Sequence, residues 1–441
     1  MTRAHPRRRP FGLVSATALV VANMIGAGVF TTSGFALADL GSRPRVMAAW
    51  VVGGIIALCG AVSYGGLVRR MAASGGEYLF LSRMIHPMLG FLAGWVSLLA
   101  GFTGAIAFAA TVFETYIVPQ GVRPAWLPEG VVGISAIVVC GLLHGIGVRY
   151  GARVQNAIVL FELLFITAFV ALALIRLGDT GWPGLGVPGP AVAFSVTAFA
   201  SSLIWISLSY SGFNAAVYVA GEIEDAPRTA PRALWLGTSI VAAIYLALNA
   251  VFLFAPLPED VSGRPDVASA AATALGGGFL STALRITIGL ALLSSVSSMI
   301  VAGPRVYAQM ARDNVFPAFF AAPGDGHGNR APLTSIALQV VLATIVVSLS
   351  GLSTLLSYLG FVLSMSAAGT VACLFVLRRR EGRSAVAGIG YPWVPAVFVL
   401  ATLALGLLAA TQRPQEWLAA VVTLASGAVA YRVLASGPGG T

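Results

Sequence analysis

Twelve times along the 441-residue chain, apolar residues run on for about twenty positions: near 11–38, 46–68, 87–118, 130–147, 154–176, 192–221, 233–256, 278–304, 333–350, 352–377, 392–411 and 416–435. A helix of that length crosses the ~30 Å hydrocarbon core of a bilayer, where no water is present to bond the backbone. The pattern therefore predicts an all-α integral membrane protein of about 12 transmembrane helices. Charged residues make up only 10% of the chain, against roughly 25% in soluble domains, which excludes an ordinary water-soluble fold. The separators carry the breakers expected of loops, such as "GDTGWPGLGVPGP" at 178–190 and "PLPEDVSGRPD" at 256–266.

All 26 basic residues are arginines and the net charge is +10. A nucleic-acid partner would need them gathered on one face; they fall between the apolar runs instead, so no nucleic acid is expected. With residues 1–10 as a cytoplasmic tail, 19 arginines lie on the inner side and seven on the outer: Arg43, Arg45, Arg123, Arg176, Arg264, Arg285 and Arg413. That asymmetry obeys the positive-inside rule along the whole chain and places both termini in the cytoplasm, with the chain in the cytoplasmic (inner) membrane. "RRRPF" imitates the start of a secretory signal, but the apolar stretch after it is too long for a signal core, which favours an uncleaved first span. Cys59, Cys140 and Cys373 sit inside apolar runs without metal-ligand spacing, so they read as packing residues; neither disulfide, metal nor cofactor is expected.

Two runs are interrupted. "NMIGAGVFTTSGF" at 23–35 places Gly26 and Gly28 where a helix should be strongest, and "SLSYSGFNAAVYVAGE" at 207–222 puts Ser207, Ser209, Ser211, Gly212 and Asn214 at similar depth. Irregular backbone at membrane depth persists only where protein or a water-lined cavity surrounds it. Each interruption has a plainer reading, since small residues pack membrane helices and serines bond back to their own helix. Together, five spans apart, they point to an inverted-repeat transporter with halves at 11–177 and 192–377 and two additional spans at 392–435. Free N–H groups at such breaks suit a carboxylate, and freed carbonyls suit an ammonium.

"MIGAGVF" resembles the first-span signature of the amino acid–polyamine–organocation transporter superfamily. Three further segments agree in order: "ASGGEYLFLSRMIHPMLGFLAGW" (73–95), "SYSGFNAAVYVAGEIEDAPRTAPRA" (209–233) and "GPRVYAQMARDNVFP" (303–317). The resemblance implies a LeuT-like fold, a five-plus-five inverted repeat with broken spans 1 and 6, that moves an amino acid by alternating access, either proton-coupled or by exchange. It implies that the substrate carboxylate meets the N–H groups of Ala27, Gly28 and Val29. The ammonium then meets carbonyls around Ile25, beside Gly26, and around Leu208 to Ser211. Leu208 stands where several relatives carry an aromatic gate; Tyr210 and Phe213, flanking Gly212 and preceding Asn214, are the substitutes. Relatives that take cationic amino acids can place a carboxylate on the inner half of span 3. The stretch 94–113 has none before Glu114, which reads as an interfacial anchor. A neutral, apolar amino acid is therefore expected. The alternatives are a cationic amino acid, polyamine or amine, or a channel or sensor of the same fold that does not transport.

Many relatives carry a lysine in span 5. This chain has no lysine and places Glu162 there. Three roles stay open for it: exchanging a coupling proton, holding a cation such as sodium together with Ser294, Ser295, Ser297 or Ser298 of span 8, or pairing structurally. Acid–arginine pairs that would close the inner vestibule are sought among Glu222, Glu224, Asp225, Arg228 and Arg232, with Arg305 and Arg312 at the end of span 8. His5, His86, His144 and His327 form no catalytic set, so an enzyme is not expected. The expected partners are the substrate, the lipid bilayer and a proton or sodium ion, in a monomer or homodimer.

Overall fold

The computed structural model describes residues 12–119, 123–145, 152–188, 192–312, 315–317, 320, 333–382 and 390–435. The chain opens with α1 (Leu13–Met24), a 3-10 turn (Ala27–Phe30), α2 (Thr32–Leu40), α3 (Arg43–Arg70) and α4 (Gly76–Met84). Next, α5 (Pro87–Val96) runs through a π-helical stretch (Ser97–Gly104) into α6 (Ala105–Ile117), followed by α7 (Val131–Gly145) and α8 (Ala152–Asp179). Then come α9 (Val196–Ser209), the short α10 (Ala215–Tyr218), α11 (Ala226–Phe254) and α12 (Val267–Arg312). The chain closes with α13 (Leu333–Leu349), α14 (Leu352–Glu381), α15 (Trp393–Ala410) and α16 (Pro414–Ala435).

Among the described residues no strand occurs. Eight helices are long and apolar enough to cross a membrane, and four shorter apolar helices, α1, α7, α9 and α13, occupy the remaining runs. At 1.5 Å per residue the 28 residues of α3 extend about 42 Å, more than the hydrocarbon thickness. Large apolar side chains stand exposed along α8, among them Leu160, Leu164, Leu174 and Ile175. In water such a surface would be a liability; against lipid it is the expected solvent face. The protein is a multi-pass integral membrane protein.

Local chemistry sets the helix ends. His86 Nδ1 accepts from Met88 N–H at 3.1 Å, and Pro87 opens α5 without a donor to satisfy. Gly41 ends α2 in the left-handed region at φ 61°. Inside α12, Gly276 and Gly277 leave helical geometry, so a short leading helix turns there into the long one. The buried Arg43 donates to the carbonyls of Gly184 (2.7 Å), Leu253 (3.2 Å) and Val187 and lies over the Phe254 ring. It ties the 182–187 segment to the ends of α3 and α11. Those two helices pack against each other, and α11 also packs on α1; this scaffold positions the site below.

Candidate functional site

The first run breaks between α1 and α2. Ile25 and Gly26 are extended, at φ −74°, ψ 111° and φ −154°, ψ −167°, before the 3-10 turn begins. The N–H groups of Ala27, Gly28 and Val29 start that turn and donate to no carbonyl outside it, although all three residues are buried. Unpaired buried N–H groups are rare and ask for an acceptor. The second interruption runs from Tyr210 to Asn214, with Gly212 at φ 93°. Ser207, Leu208 and Ser209 remain inside α9, so the freed carbonyls lie beyond them. Among the described residues no protein donor reaches the carbonyls of Ile25 and Ser211.

The two breaks touch. A Cβ at Gly212 would fall 2.5 Å from Asn23 O, and one at Gly28 would fall 2.5 Å from Ser209 Oγ and 2.8 Å from Ser209 Cα. Thr32 Oγ1 and Ser209 Oγ lie 3.0 Å apart. From α11, the Tyr245 hydroxyl reaches Met24 O at 2.5 Å and Ser209 O at 3.1 Å, the last carbonyls of α1 and α9. Four residues on, Asn249 accepts from Ser33 Oγ, which in turn accepts from Trp50 Nε1 at 2.8 Å. The rings of Trp50, Tyr210 and Tyr245 meet pairwise at 5.2–5.7 Å, and Tyr210 donates to Trp50 O at 3.2 Å. Tyr210 and Phe213 are both buried, as is Leu208.

Tyr245→Phe keeps the ring but leaves two buried carbonyls without their hydroxyl. We expect it to lower the unfolding free energy of the detergent-purified protein by about 1–3 kcal/mol and to slow uptake, read by thermal melts and proteoliposome assays.

Glu162 on α8 is 9% exposed, and among the described residues it makes neither a hydrogen bond nor an ion pair. It lies within electrostatic reach of Tyr245. The span 8 serines have other partners: Ser297 Oγ meets His144 Nε2 at 2.8 Å, and Ser298 donates to Ser294 O at 2.7 Å in its own helix. Ser294 and Ser295 are half-buried on the same helix. No group of three or more acidic, histidine or cysteine residues able to hold a metal occurs among the described residues. Glu114, expected as an interfacial anchor, is instead buried. It accepts from Arg123 Nη2 at 2.6 Å and from the N–H groups of Gly130 and Gly133 at 2.8 and 2.9 Å, which caps α7. Of the inner acid–arginine set, Arg228 pairs with Asp225 at 3.7 Å, while Glu222 is exposed and has no ion pair among the described residues. The side chains of Arg305 and Arg312 lie outside the described residues.

Glu77 on α4 was not singled out by motif or spacing. Its Oε1 accepts from Tyr64 at 2.5 Å and from Asn214 at 3.1 Å, and its Oε2 accepts from Ser366 at 2.5 Å. One carboxylate thus joins α3, α14 and the second break. Burial pushes its carboxyl above the usual 4.5, against the pull of the bonds from Ser366, Tyr64 and Asn214. The native chain then holds this proton to a higher pH than the unfolded chain, so the stability contributed is full below about 4.5 and falls as pH rises through the folded value. Glu77→Gln should flatten that part of the melting temperature's pH dependence, whereas Glu77→Ala, which strands three donors, should cost about 3 kcal/mol or more at every pH. Tyr245, Asn249 and Glu77 share one signal that sequence reading can use: a polar residue inside or beside an apolar run that is short of polar neighbours.

A family model described as "Amino acid permease" matches residues 11–428. The chain is 25% identical over 386 residues to the human "Large neutral amino acids transporter small subunit 2", covering 85% of this chain and 70% of that one. It is 26% identical over 383 residues to the mouse "Asc-type amino acid transporter 1", covering 85% and 71%. It is also 26% identical over 404 residues to the "Serine/threonine exchanger SteT" of Bacillus subtilis (strain 168), covering 89% of each.

Proposed function

The chain belongs to the amino acid permease family, and from that premise we propose that it moves a neutral, apolar amino acid across the cytoplasmic membrane by alternating access, coupled to a proton carried on Glu162. The observation that carries this reading is the pair of buried N–H groups at Ala27 and Gly28 that open the turn continued by Val29, beside carbonyls at Ile25 and Ser211 that have no donor among the described residues. A zwitterion supplies both complements, an acceptor for the N–H groups and a donor for the carbonyls. The amino acids named in the relatives' descriptions are neutral. Glu114, the carboxylate of span 3, is already occupied by Arg123 and two backbone N–H groups. A cationic side chain there would be buried without a partner, at high cost.

In this reading the twelve helical runs are twelve spans, 11–177 and 192–377 are the inverted halves, and 392–435 is an appended pair of spans. The two breaks lie five spans apart, as corresponding elements of such halves should. Both termini face the cytoplasm. A thermal-shift screen of the detergent-purified protein against all amino acids and simple amines tests the substrate class, because a ligand of the folded state raises the melting temperature in proportion to its affinity. Stabilisation by neutral L-amino acids is expected. Stabilisation by cationic amino acids or polyamines alone would reverse the assignment.

A further inference from the structure

At the far end of α4 from Glu77, a cavity of about 180 Å³ opens between the ends of α3, α4 and α14. Its apolar wall is formed by Met71, Met84 and Leu377, and Arg70, Arg83 and Arg380 converge on it with a single carboxylate, Glu381. Three guanidinium groups against one carboxylate leave an excess of two positive charges around one open cleft, where all four charged residues are exposed. Arginines placed only to orient a membrane protein need not converge; these three come from three separate elements onto one space. Two are held in place: Arg70 Nε donates to Glu381 at 2.8 Å, and Arg380 Nη1 donates to Met84 O at 2.8 Å. Each of these bonds uses one of five guanidinium N–H donors, so the planar forks keep donors to offer. Arg83 has no hydrogen bond or ion pair among the described residues.

We propose that this cavity binds a phosphate group. Guanidinium forks match phosphate oxygens in a bidentate manner. The adjoining wall of Met71, Met84 and Leu377 suits the glycerol and acyl root of a phospholipid. The cavity also sits where the apolar stretches of α3 and α14 end in Arg70 and Glu381, the depth at which a headgroup lies. A phosphate bound here bridges α3, α4 and α14, the elements that Glu77 joins to the second break. The site is independent of which amino acid is carried and of Glu162.

Native mass spectrometry of the full chain in detergent tests this, with phosphatidylglycerol, phosphatidylethanolamine and inorganic phosphate as the probes. One phosphatidylglycerol per chain should be retained, and Arg83→Gln should weaken retention by about tenfold, the loss of roughly one charged hydrogen-bonding group. Arg83→Gln with Arg380→Gln should abolish it. Arg176→Gln, which removes one charge far from the cavity, should bind as the parent does. Because Arg83 makes no bond among the described residues, its variant's melting temperature without lipid should equal the parent's, which separates lost binding from lost folding. If millimolar inorganic phosphate displaces the lipid or raises the melting temperature as much, the physiological source is a soluble phosphate; if only phosphatidylglycerol acts, it is the membrane. Binding of none of the three probes, or equal retention by the double variant, would overturn the proposal.

Discussion

Gly212→Ala should abolish uptake. Gly212 sits at φ 93°, where side chains are strained by about 1–2 kcal/mol. The added methyl would also lie 2.5 Å from Asn23 O and 2.9 Å from Asn23 C, backbone atoms in the last turn of α1 just before the other break. Neither can give way without separating the two segments. The methyl would therefore pull Ser211 and its carbonyl away from Ile25. Gly28→Ala should act similarly, through Ser209 Oγ at 2.5 Å and Cα at 2.8 Å. Gly26→Ala is the informative contrast. Its backbone is extended, and nothing lies within 4 Å of a Cβ placed there, so substantial uptake should remain. Initial rates in proteoliposomes, at matched protein insertion, would rank the three.

Glu162→Gln should fold as the parent does and bind substrate, yet fail to accumulate it. A buried carboxylate without a partner is costly to keep, and glutamine of the same shape has no bond to break there. A structural ion pair at Glu162 would show in the same variant as an unfolding free energy lowered by several kcal/mol. For one coupled proton, a gradient of one pH unit sustains about tenfold accumulation. In Glu162→Gln the internal and external concentrations should simply equalise, whatever the pH gradient. Accumulation that persists in the variant and follows sodium or a counter-amino acid instead would remove the proton from the account.

The sequence was most informative where physics leaves one choice. Apolar runs of about twenty residues have no stable alternative to the helix in lipid, and each of the twelve coincides with helical structure. The break in the first run was legible because Gly26 and Gly28 fall in the middle of an otherwise strong helix former. The second was legible in position but not in detail: the serines suggested unwinding from Ser207, whereas α9 stays helical through Ser209 and opens only at Tyr210. Serine bonds to its own helix, as Ser209 Oγ does to Trp205 O, so serines alone do not mark where a helix ends. Contacts between distant segments were out of reach. Nothing local told that Tyr245 reaches Met24 and Ser209, that Glu77 gathers three donors, or that Glu114 caps α7. The expected inner gate shows why charge proximity along the chain is a weak guide: Arg228 pairs one turn away, with Asp225, and both are largely exposed, the kind of pair worth ~0–1 kcal/mol.

The grip of the two breaks on both charged ends of a small zwitterion is tested most directly by competition with trimmed ligands. For the amino acid that binds best, isothermal titration would compare it with its methyl ester, its decarboxylated amine and its α-hydroxy acid, which keep the side chain and remove one charge. Each lost end should weaken binding by about a hundredfold, the equivalent of one buried charge-assisted contact of roughly 3 kcal/mol. Equal affinity for the amine or the hydroxy acid would contradict recognition by the backbone of Ala27 to Val29 and the carbonyls of Ile25 and Ser211.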